Sequence, residues 1–213
     1  YKLNLTYESK NSELIKTETE LALPSDTPYQ QIILDSIDPA PLSMRIDDSG
    51  NWLARYSLDA SSKQIVKAVL YATVYPEPSQ IDPSSTHFVP ASRSKYWQTS
   101  SSTVMDLATR LKTPENIYTY LVENFSYNYS SLNGRVERLG AIAAITSPSN
   151  VLCTEFTDTF VALTRTLNIP SREINGYGYT KNATLQPQNS NTDILHAWPE
   201  YYSQEKKTWV SVD

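Results

Sequence analysis

The first 74 residues alternate apolar and polar side chains with a period of two, a pattern that favours half-buried β-strands over helices. The alternation is clearest in five segments, residues 1–8, 15–23, 42–46, 52–58 and 66–74. Between two of these segments, "DDSGN" predicts a hairpin turn in which Gly50 adopts a positive φ. Short strands separated by turn residues are typical of an antiparallel, immunoglobulin-like β-sandwich.

The alternating pattern ends after Val74. The segment that follows, residues 75–102, includes "YPEPSQIDPSSTHFVPASRS", which is rich in proline and serine and has no period. This composition is typical of a linker or of an irregular crossing segment. We therefore predict a domain boundary near residue 90, with a β-sandwich over residues 1–90 and a second domain over residues 91–213.

Helical patterns open the second domain. Thr103 is a candidate N-cap for "VMDLATRLK", and Thr113 followed by proline predicts the start of a second helix. A third helix is predicted from about Cys153 to Leu167, where "NIP" ends it. The apolar positions expected to face the core are Ile117, Leu121 and Phe125 in the second helix and Phe156, Phe160, Leu163 and Leu167 in the third.

Three strand-like segments follow the third helix, namely "SREINGYGYT", "DILHAWPEYYS" and "KTWVSVD". A run of helices followed by a run of strands predicts helices packed on an antiparallel sheet. The expected fold class is therefore α+β, with an N-terminal β-sandwich preceding this helix-and-sheet domain.

Charge and residue types exclude several classes of function. The net charge is −5 and no cluster of Lys or Arg occurs, so nucleic acid and anionic membrane surfaces are not expected partners. No apolar run approaches the roughly 20 residues of a membrane-spanning helix, so a membrane is expected only through a flanking anchor. One cysteine and two histidines cannot assemble a typical zinc site, and we expect no metal and no cofactor.

Cys153, the only cysteine, lies at the predicted start of the third helix. Unpaired backbone N–H groups and the positive end of the helix dipole favour a thiolate there and lower the pKa of the sulfur. The same N–H groups can bind the oxygen of a tetrahedral intermediate. A free cysteine is more often a small buried hydrophobic residue, so position alone leaves both interpretations open.

Two further residues are of the types that activate a thiol. His196 lies within a predicted strand, where its ring could accept the thiol proton and later protonate a leaving group. Asp213 follows 17 positions later, enough for a strand, a turn at "SQEKK" and a return strand that brings the carboxylate to the imidazole. Taken singly, His196 is more often a core histidine and Asp213 a solvated aspartate. The three residues together are a more specific signal of a catalytic set.

These motifs resemble the catalytic core of the transglutaminase-like superfamily from about Arg138 to Asp213. In that family a cysteine begins a buried helix that ends in an Ile-Pro-x-Arg segment, here "NIPSREINGYGYT". A histidine lies in a His-Ala-Trp-x-Glu strand, here "HAWPE", and an aspartate ends the next strand, here "WVSVD". The resemblance extends more weakly back to Ser92, and the β-rich first half resembles the sandwich that often precedes this core in bacterial members.

The resemblance implies that Cys153 is the nucleophile, His196 the base and Asp213 the residue that orients the imidazole. Family members commonly continue from the aspartate into a Pro-Thr-Trp segment, whereas this sequence stops at the aspartate. Its end at "WVSVD" and its start in a strand-like segment are compatible with a piece of a longer protein.

Four aromatic residues are candidates for the surroundings of the site. Tyr127, Tyr129 or Trp198 could stabilise an oxyanion beside the backbone N–H of the cysteine. Tyr177 and Trp198 could line the substrate path, either as a water-poor approach for an amine or as a groove for an extended peptide. Tyrosine and tryptophan are more often core residues, so this alternative stays open at each position.

The activity implied by the resemblance is acyl transfer from an amide through a thioester. Water as the acceptor gives a peptidase or amidase, which we favour because microbial members of the family are often cysteine peptidase-like. An amine acceptor gives a protein-crosslinking transglutaminase. A non-catalytic module that binds peptide or cell-wall polymer is the other class, and the intact set of three residues argues against it.

The expected substrate is an amide of a protein, a peptide or a peptidoglycan-type polymer. The expected location is extracytoplasmic, either secreted or membrane-anchored outside the cell. This follows from the resemblance, since bacterial proteins that join a sandwich to this core are usually displayed outside the cell.

Overall fold

The computed structural model describes residues 1–47, 50–78, 94–129, 137–178 and 194–213. The chain divides into two compact units, Tyr1–Val89 and Pro90–Asp213, called here the N-terminal and C-terminal units. The region around residue 90, where the sequence predicts the domain boundary, lies outside the described residues. Strands form the first unit and helices precede strands in the second, so the fold class is α+β, as predicted.

The described strands of the N-terminal unit form two antiparallel sheets of three strands each. Their bounds are β1 (Lys2–Lys10), β2 (Thr17–Leu23), β3 (Gln30–Asp38), β4 (Ser43–Ile46), β5 (Trp52–Leu58) and β6 (Lys63–Val74). One sheet has the order β1-β6-β3 and the other the order β2-β5-β4. Gly50, between β4 and β5, has a φ of 87°, which agrees with the predicted hairpin turn, while Asp48 and Ser49 of that turn lie outside the described residues.

The two sheets share one hydrophobic cluster, to which both contribute alternate residues. Leu70 on the central strand β6 and Ala54 on the central strand β5 are fully buried. The unit is therefore a β-sandwich, and the alternation in the sequence is the alternation between its core-facing and solvent-facing positions.

Strand β3 is not among the strands that the sequence predicts. Its "IIL" run places three apolar residues in succession, of which Ile32 is buried and Ile33 is 62% exposed. The register against β6 then shifts between Leu34 and Ser36. Both features obscure a period of two, which explains why the strand is missed.

The C-terminal unit begins with helices, of which the described ones are α1 (Ser102–Leu111), α2 (Pro114–Asn124), α3 (Ala141–Thr146) and α4 (Cys153–Thr166). The start of α2 is as predicted, since the Thr113 hydroxyl accepts the N–H of Asn116 at 3.2 Å. The predicted cap of α1 is wrong: Ser101 is the N-cap and Thr103 lies inside the first turn. Helix α3 is not predicted, because six residues with no side-chain cap carry little periodic signal.

The three strands predicted after the third helix are present as β7 (Ser171–Gly178), β8 (Ile194–Ser203) and β9 (Thr208–Ser211). They form an antiparallel sheet in which β8 is central. Helix α4 contacts α1, α2 and α3 and also packs on β7 and β8. It lies between the other helices and the sheet.

This position buries more of α4 than the sequence predicts. The predicted core residues Phe160 and Leu163 are buried, but so are Thr157, Asp158 and Thr164. A single apolar stripe is the pattern of a helix with one solvated face, whereas α4 has neighbours on two sides. Among the described residues, no helix has the length and apolar character needed to cross a membrane.

We predict that Phe160→Ala lowers the free energy of unfolding by about 3–5 kcal/mol, because Phe160 is 1% exposed and packs against the ring of Tyr201. Met105→Ala, on α1 and 48% exposed, should change it by less than about 0.5 kcal/mol. Urea unfolding of the full chain measures both values. Equal losses in the two variants would contradict the assignment of Phe160 to the core.

Candidate active site

Helix α4 begins at Cys153 because a buried carboxylate holds the residues just before it. Glu155, 1% exposed in the first turn, accepts the N–H of Leu152 at 3.0 Å and the N–H of Leu139 at 3.0 Å. A carboxylate in this turn also interacts favourably with the helix dipole. The half-buried side chain of Cys153 is therefore fixed at the N-terminal end of the helix.

Strands β8 and β9 bring His196 and Asp213 together, in the arrangement that their spacing predicts. β8 pairs with β9 through the turn after Ser203, and Asp213 lies just beyond the end of β9. The His196 Nε2 atom lies 2.9 Å from Oδ1 and 3.0 Å from Oδ2 of Asp213. This contact orients the ring and leaves Nδ1 as the ring nitrogen available to a second partner.

That second partner is the sulfur of Cys153. Burial raises the pKa of the Cys153 thiol. Hydrogen bonds from His196, from the N–H of Ala197 and from the hydroxyl of Tyr127 lower this pKa, and together they outweigh burial. The resulting pKa lies below the ordinary value for a cysteine. Helix α4 and strand β8 thus bring the nucleophile candidate and the base candidate into contact.

The pKa of His196 moves in the opposite direction. The hydrogen bond to Asp213 and the one to Cys153 raise the pKa of the imidazole to about 10, although burial lowers it. The pKa of the thiol is lowered and that of the ring is raised, so the contact favours the charged form of both groups, thiolate and imidazolium. Of the predicted site residues, Cys153, His196 and Asp213 therefore lie together as a connected set.

Tyr127 completes the surroundings of the sulfur. Its hydroxyl donates to the Cys153 sulfur and accepts a hydrogen bond from the backbone N–H of Cys153. The pKa of this phenol is above its ordinary value, and burial contributes most to the increase. A short parallel bridge to Val151 fixes its backbone, and its ring stacks on Phe156 at 6.5 Å. Tyr127 therefore lies beside the sulfur at the N-terminal end of α4.

Trp198 contacts the imidazole rather than the sulfur. Its ring stacks on that of His196 with centroids 5.9 Å apart, as expected for residues two apart on one face of a strand. The opposite strand makes room for it, since a Cβ on Gly176 would lie 2.7 Å from Cη2 of Trp198. Only glycine fits at that position, and this steric requirement is not visible in the sequence alone.

The other two predicted aromatic residues lie further out. Tyr129 is 48% exposed and its ring lies 5.1 Å from that of Tyr127. Tyr177 is also 48% exposed and pairs across the strands with Leu195, which is 78% exposed. Among the described residues that line the pocket beside the sulfur, neither tyrosine is found, nor is Trp198.

A buried ion network, which the sequence does not predict, joins α4 to the sheet. Arg138 donates to Asp158 on α4, with Nε 2.8 Å from Oδ2, and to Glu173 on β7 at 2.6 Å. Asp158 is fully buried, and the guanidinium also lies over the ring of Tyr96 at 4.5 Å. An isolated arginine and two distant carboxylates carry no spacing signal, so only the fold reveals that they meet.

No group of three His, Cys, Asp or Glu side chains within the described parts of the chain is placed to hold a metal ion. The chemistry that these residues support is that of the thiol itself. A thiolate, an imidazolium, a carboxylate and two donors near the sulfur are the groups needed for attack on a carbonyl and for protonation of a leaving group.

A family model described as the transglutaminase-like superfamily matches residues 98–213, more than half of the chain. No curated protein sequence matches the chain.

Two solved structures resemble the fold. One is a candidate cysteine protease from Cytophaga hutchinsonii, with a TM-score of 0.63 and 19% identity, covering 100% of this chain and 75% of that one. The other is the periplasmic domain of TgpA from Pseudomonas aeruginosa, with a TM-score of 0.42 and 17% identity, covering 96% of this chain and 71% of that one. The first similarity shows a shared fold.

We predict that iodoacetamide alkylates Cys153 well below pH 8, because only the thiolate reacts and its pKa is lowered. In His196→Ala the largest of the lowering interactions is lost while burial remains, so alkylation at pH 7 should slow by about tenfold or more. Intact-mass measurement of the labelled protein against pH gives both profiles. Identical profiles, each rising only above pH 8, would show that the imidazole does not act on the sulfur.

A second prediction concerns the stacking of Trp198 on the imidazole. Gly176→Ala forces the indole to move, which disturbs His196 and should shift the alkylation profile of Cys153 towards higher pH. Asn175→Ala, at the exposed neighbouring position of β7, is the matched control and should leave the profile unchanged. A Gly176→Ala protein that folds and labels like the control would mean that the indole has no role in holding the ring.

Proposed function

The chain belongs to the transglutaminase-like superfamily, and we propose that it is a cysteine-dependent acyl-transfer enzyme that hydrolyses amide bonds. The observation that carries this proposal is the connected set of Asp213, His196 and Cys153, with Nε2 of the imidazole on the carboxylate and the opposite side of the ring towards the sulfur. A half-buried thiol with a lowered pKa beside an imidazole with a raised pKa is typical of a nucleophile with its proton donor.

The proposed reaction proceeds in two halves. The Cys153 thiolate attacks the amide carbonyl carbon, forming a C–S bond, and the carbonyl oxygen takes up the negative charge. The backbone N–H of Cys153 then leaves the oxygen of Tyr127 and, with the tyrosine hydroxyl, donates to the oxyanion. The C–N bond then breaks as the His196 imidazolium gives its proton to the departing amine, leaving a thioester. Water attacks the thioester, the imidazole accepts a proton from it, and the acid leaves with the thiolate restored.

The acceptor of the acyl group distinguishes the two candidate activities. A thioester accepts either water or an amine. We propose water, and so a peptidase or amidase, because microbial members of this superfamily are often cysteine peptidase-like, and we keep protein crosslinking as the second candidate.

The substrate and the location belong to the same proposal. The acidic net charge of −5 favours neither nucleic acid nor anionic surfaces as partners, so we propose a protein, a peptide or a peptidoglycan-type amide as the substrate. We propose an extracytoplasmic location, as for bacterial proteins that join a sandwich to this core. The name of the Cytophaga hutchinsonii protein, a candidate cysteine protease, agrees with the proposed reaction class.

The decisive experiment incubates the full chain with a quenched peptide library, with and without a primary amine such as glycine ethyl ester, and identifies products by mass. Hydrolysis gives carboxylic acids whose yield changes little when the amine is added, whereas transamidation gives amine adducts that replace the acids. No product from wild type, or equal product from Cys153→Ala, would remove the enzyme hypothesis and favour a binding module.

We predict that Asp213→Asn loses activity at a lower alkaline pH than wild type does. The bond to Asp213 is the largest cause that raises the pKa of His196 to about 10, so the imidazolium of wild type persists until the pH approaches that value. Without the carboxylate the pKa falls, and the alkaline limb of kcat/KM should move to lower pH. An alkaline limb at the same pH in both proteins would assign the limb to another group.

A further inference from the structure

The pocket beside Cys153 has almost entirely apolar walls. Its volume is about 210 Å³, and it is formed by α2, by α4 and by the ends of β8 and β9. Apart from the sulfur, the imidazole and the Asp213 carboxylate, its polar groups are the hydroxyls of two tyrosines and Thr157. The hydroxyls belong to Tyr118, Tyr127 and Thr157, and the apolar walls include Val122, Phe156 and Phe160.

Helix α2 leaves apolar side chains exposed at this pocket. Ile117 and Leu121 face the core and are buried, whereas the adjacent positions Tyr118 and Val122 are 42% and 57% exposed. These two residues are four apart and so lie on one face of the helix, directly beside the core stripe. An exposed apolar pair that borders a concave apolar surface marks a place where an apolar group binds.

We propose that this pocket binds an apolar side chain of the substrate, of leucine or phenylalanine size, next to the bond that Cys153 attacks. Tyr118 and Val122 are the residues that determine this preference. The proposal rests on the proposed function and names the class of substrate that the enzyme selects: peptides or proteins with a large apolar residue near the scissile amide.

Size and charge both favour this occupant. A cavity of about 150 Å³ holds a benzene molecule, so a pocket of about 210 Å³ accepts a branched or aromatic side chain. A charged side chain would lose its hydration, and the two charged groups among the described lining residues, Asp213 and His196, already bind each other. A glutamine amide would have only hydroxyl groups as partners, and those of Thr157 and Tyr127 already donate to Cys153, which separates this pocket from one built for a glutamine donor.

The test uses tripeptidyl chloromethyl ketones, in which the thiolate displaces chloride and forms a C–S bond with the probe. Leucine, phenylalanine, glutamine, lysine and glutamate are placed in turn at each of the three positions, and the rate of Cys153 alkylation is measured by intact mass. At one position at least, leucine or phenylalanine should react about 10- to 100-fold faster than glutamine, lysine or glutamate. No apolar preference at any position overturns the proposal.

Two lysine variants connect that preference to the pocket. Val122→Lys, at the exposed rim, should slow the leucine probe by about tenfold and increase the relative rate of the glutamate probe. Met105→Lys, at a similarly exposed position on α1 that does not line the pocket, should change neither rate. A glutamate probe that gains nothing from Val122→Lys would show that this helix does not contact the substrate.

Alkylation by iodoacetamide separates failure of this proposal from failure of the proposed function. Iodoacetamide is too small to need the pocket, so its rate with wild type reports the reactivity of the thiolate alone. A reactive thiolate without an apolar preference rejects the binding pocket and keeps the enzyme. A thiol that reacts as in His196→Ala rejects the enzyme, and the pocket proposal with it.

Discussion

A half-buried guanidinium joins the helix that carries the cysteine to the sheet that carries the histidine. Arg138 bonds Asp158 on α4 and Glu173 on β7, and β7 is the neighbour of β8. Asp158 is fully buried, so without the arginine its charge would have no partner where water does not reach. This link acts beside the direct packing of α4 on β8, and both hold the helix that carries the sulfur against the strand that carries the imidazole.

Around the sulfur, two opposing effects act on one charge. Burial disfavours the thiolate, while His196, the N–H of Ala197 and the hydroxyl of Tyr127 favour it, and the second effect is the larger. The imidazole in turn keeps its proton because Asp213 binds the other nitrogen. Charge separation at the site is therefore a property of the whole chain of contacts, and each member loses its perturbed pKa if its neighbour moves.

Much of this arrangement could be predicted from the sequence, where the local pattern is strong. The Thr113–Pro114 cap located α2, the spacing from His196 to Asp213 matched a strand, a turn and a return strand, and Cys153 was predicted at a helix start. The misses have physical causes. An apolar run and a register shift interrupt the alternating pattern of β3, and α3 is too short for a helical period to be visible.

Residues that act through tertiary contacts could not be predicted in the same way. Arg138 carries no periodic or spacing signal, and Gly176 is required only because the indole of Trp198 lies against it. Glu155 is missed for a related reason: the residue three positions before it is Leu152, so the Ser/Thr-x-x-Glu signal of a helix start is absent from the sequence. Sequence patterns describe neighbours along the chain, whereas these positions are determined by neighbours across it.

The apolar pocket excludes water, whereas the site beside it has to stabilise a negative charge. The position of Tyr127 allows both. A side chain that fills the pocket excludes water. This strengthens the hydrogen bonds to the sulfur, but it also increases the cost of burying the thiolate charge. Attack moves the negative charge from sulfur to the carbonyl oxygen. The hydroxyl of Tyr127 contacts both the sulfur and the N–H of Cys153, so it can follow the charge over that short distance. We infer that the donors that stabilise the thiolate before attack also stabilise the oxyanion after it. The negative charge is therefore stabilised at both stages although water is excluded from the site.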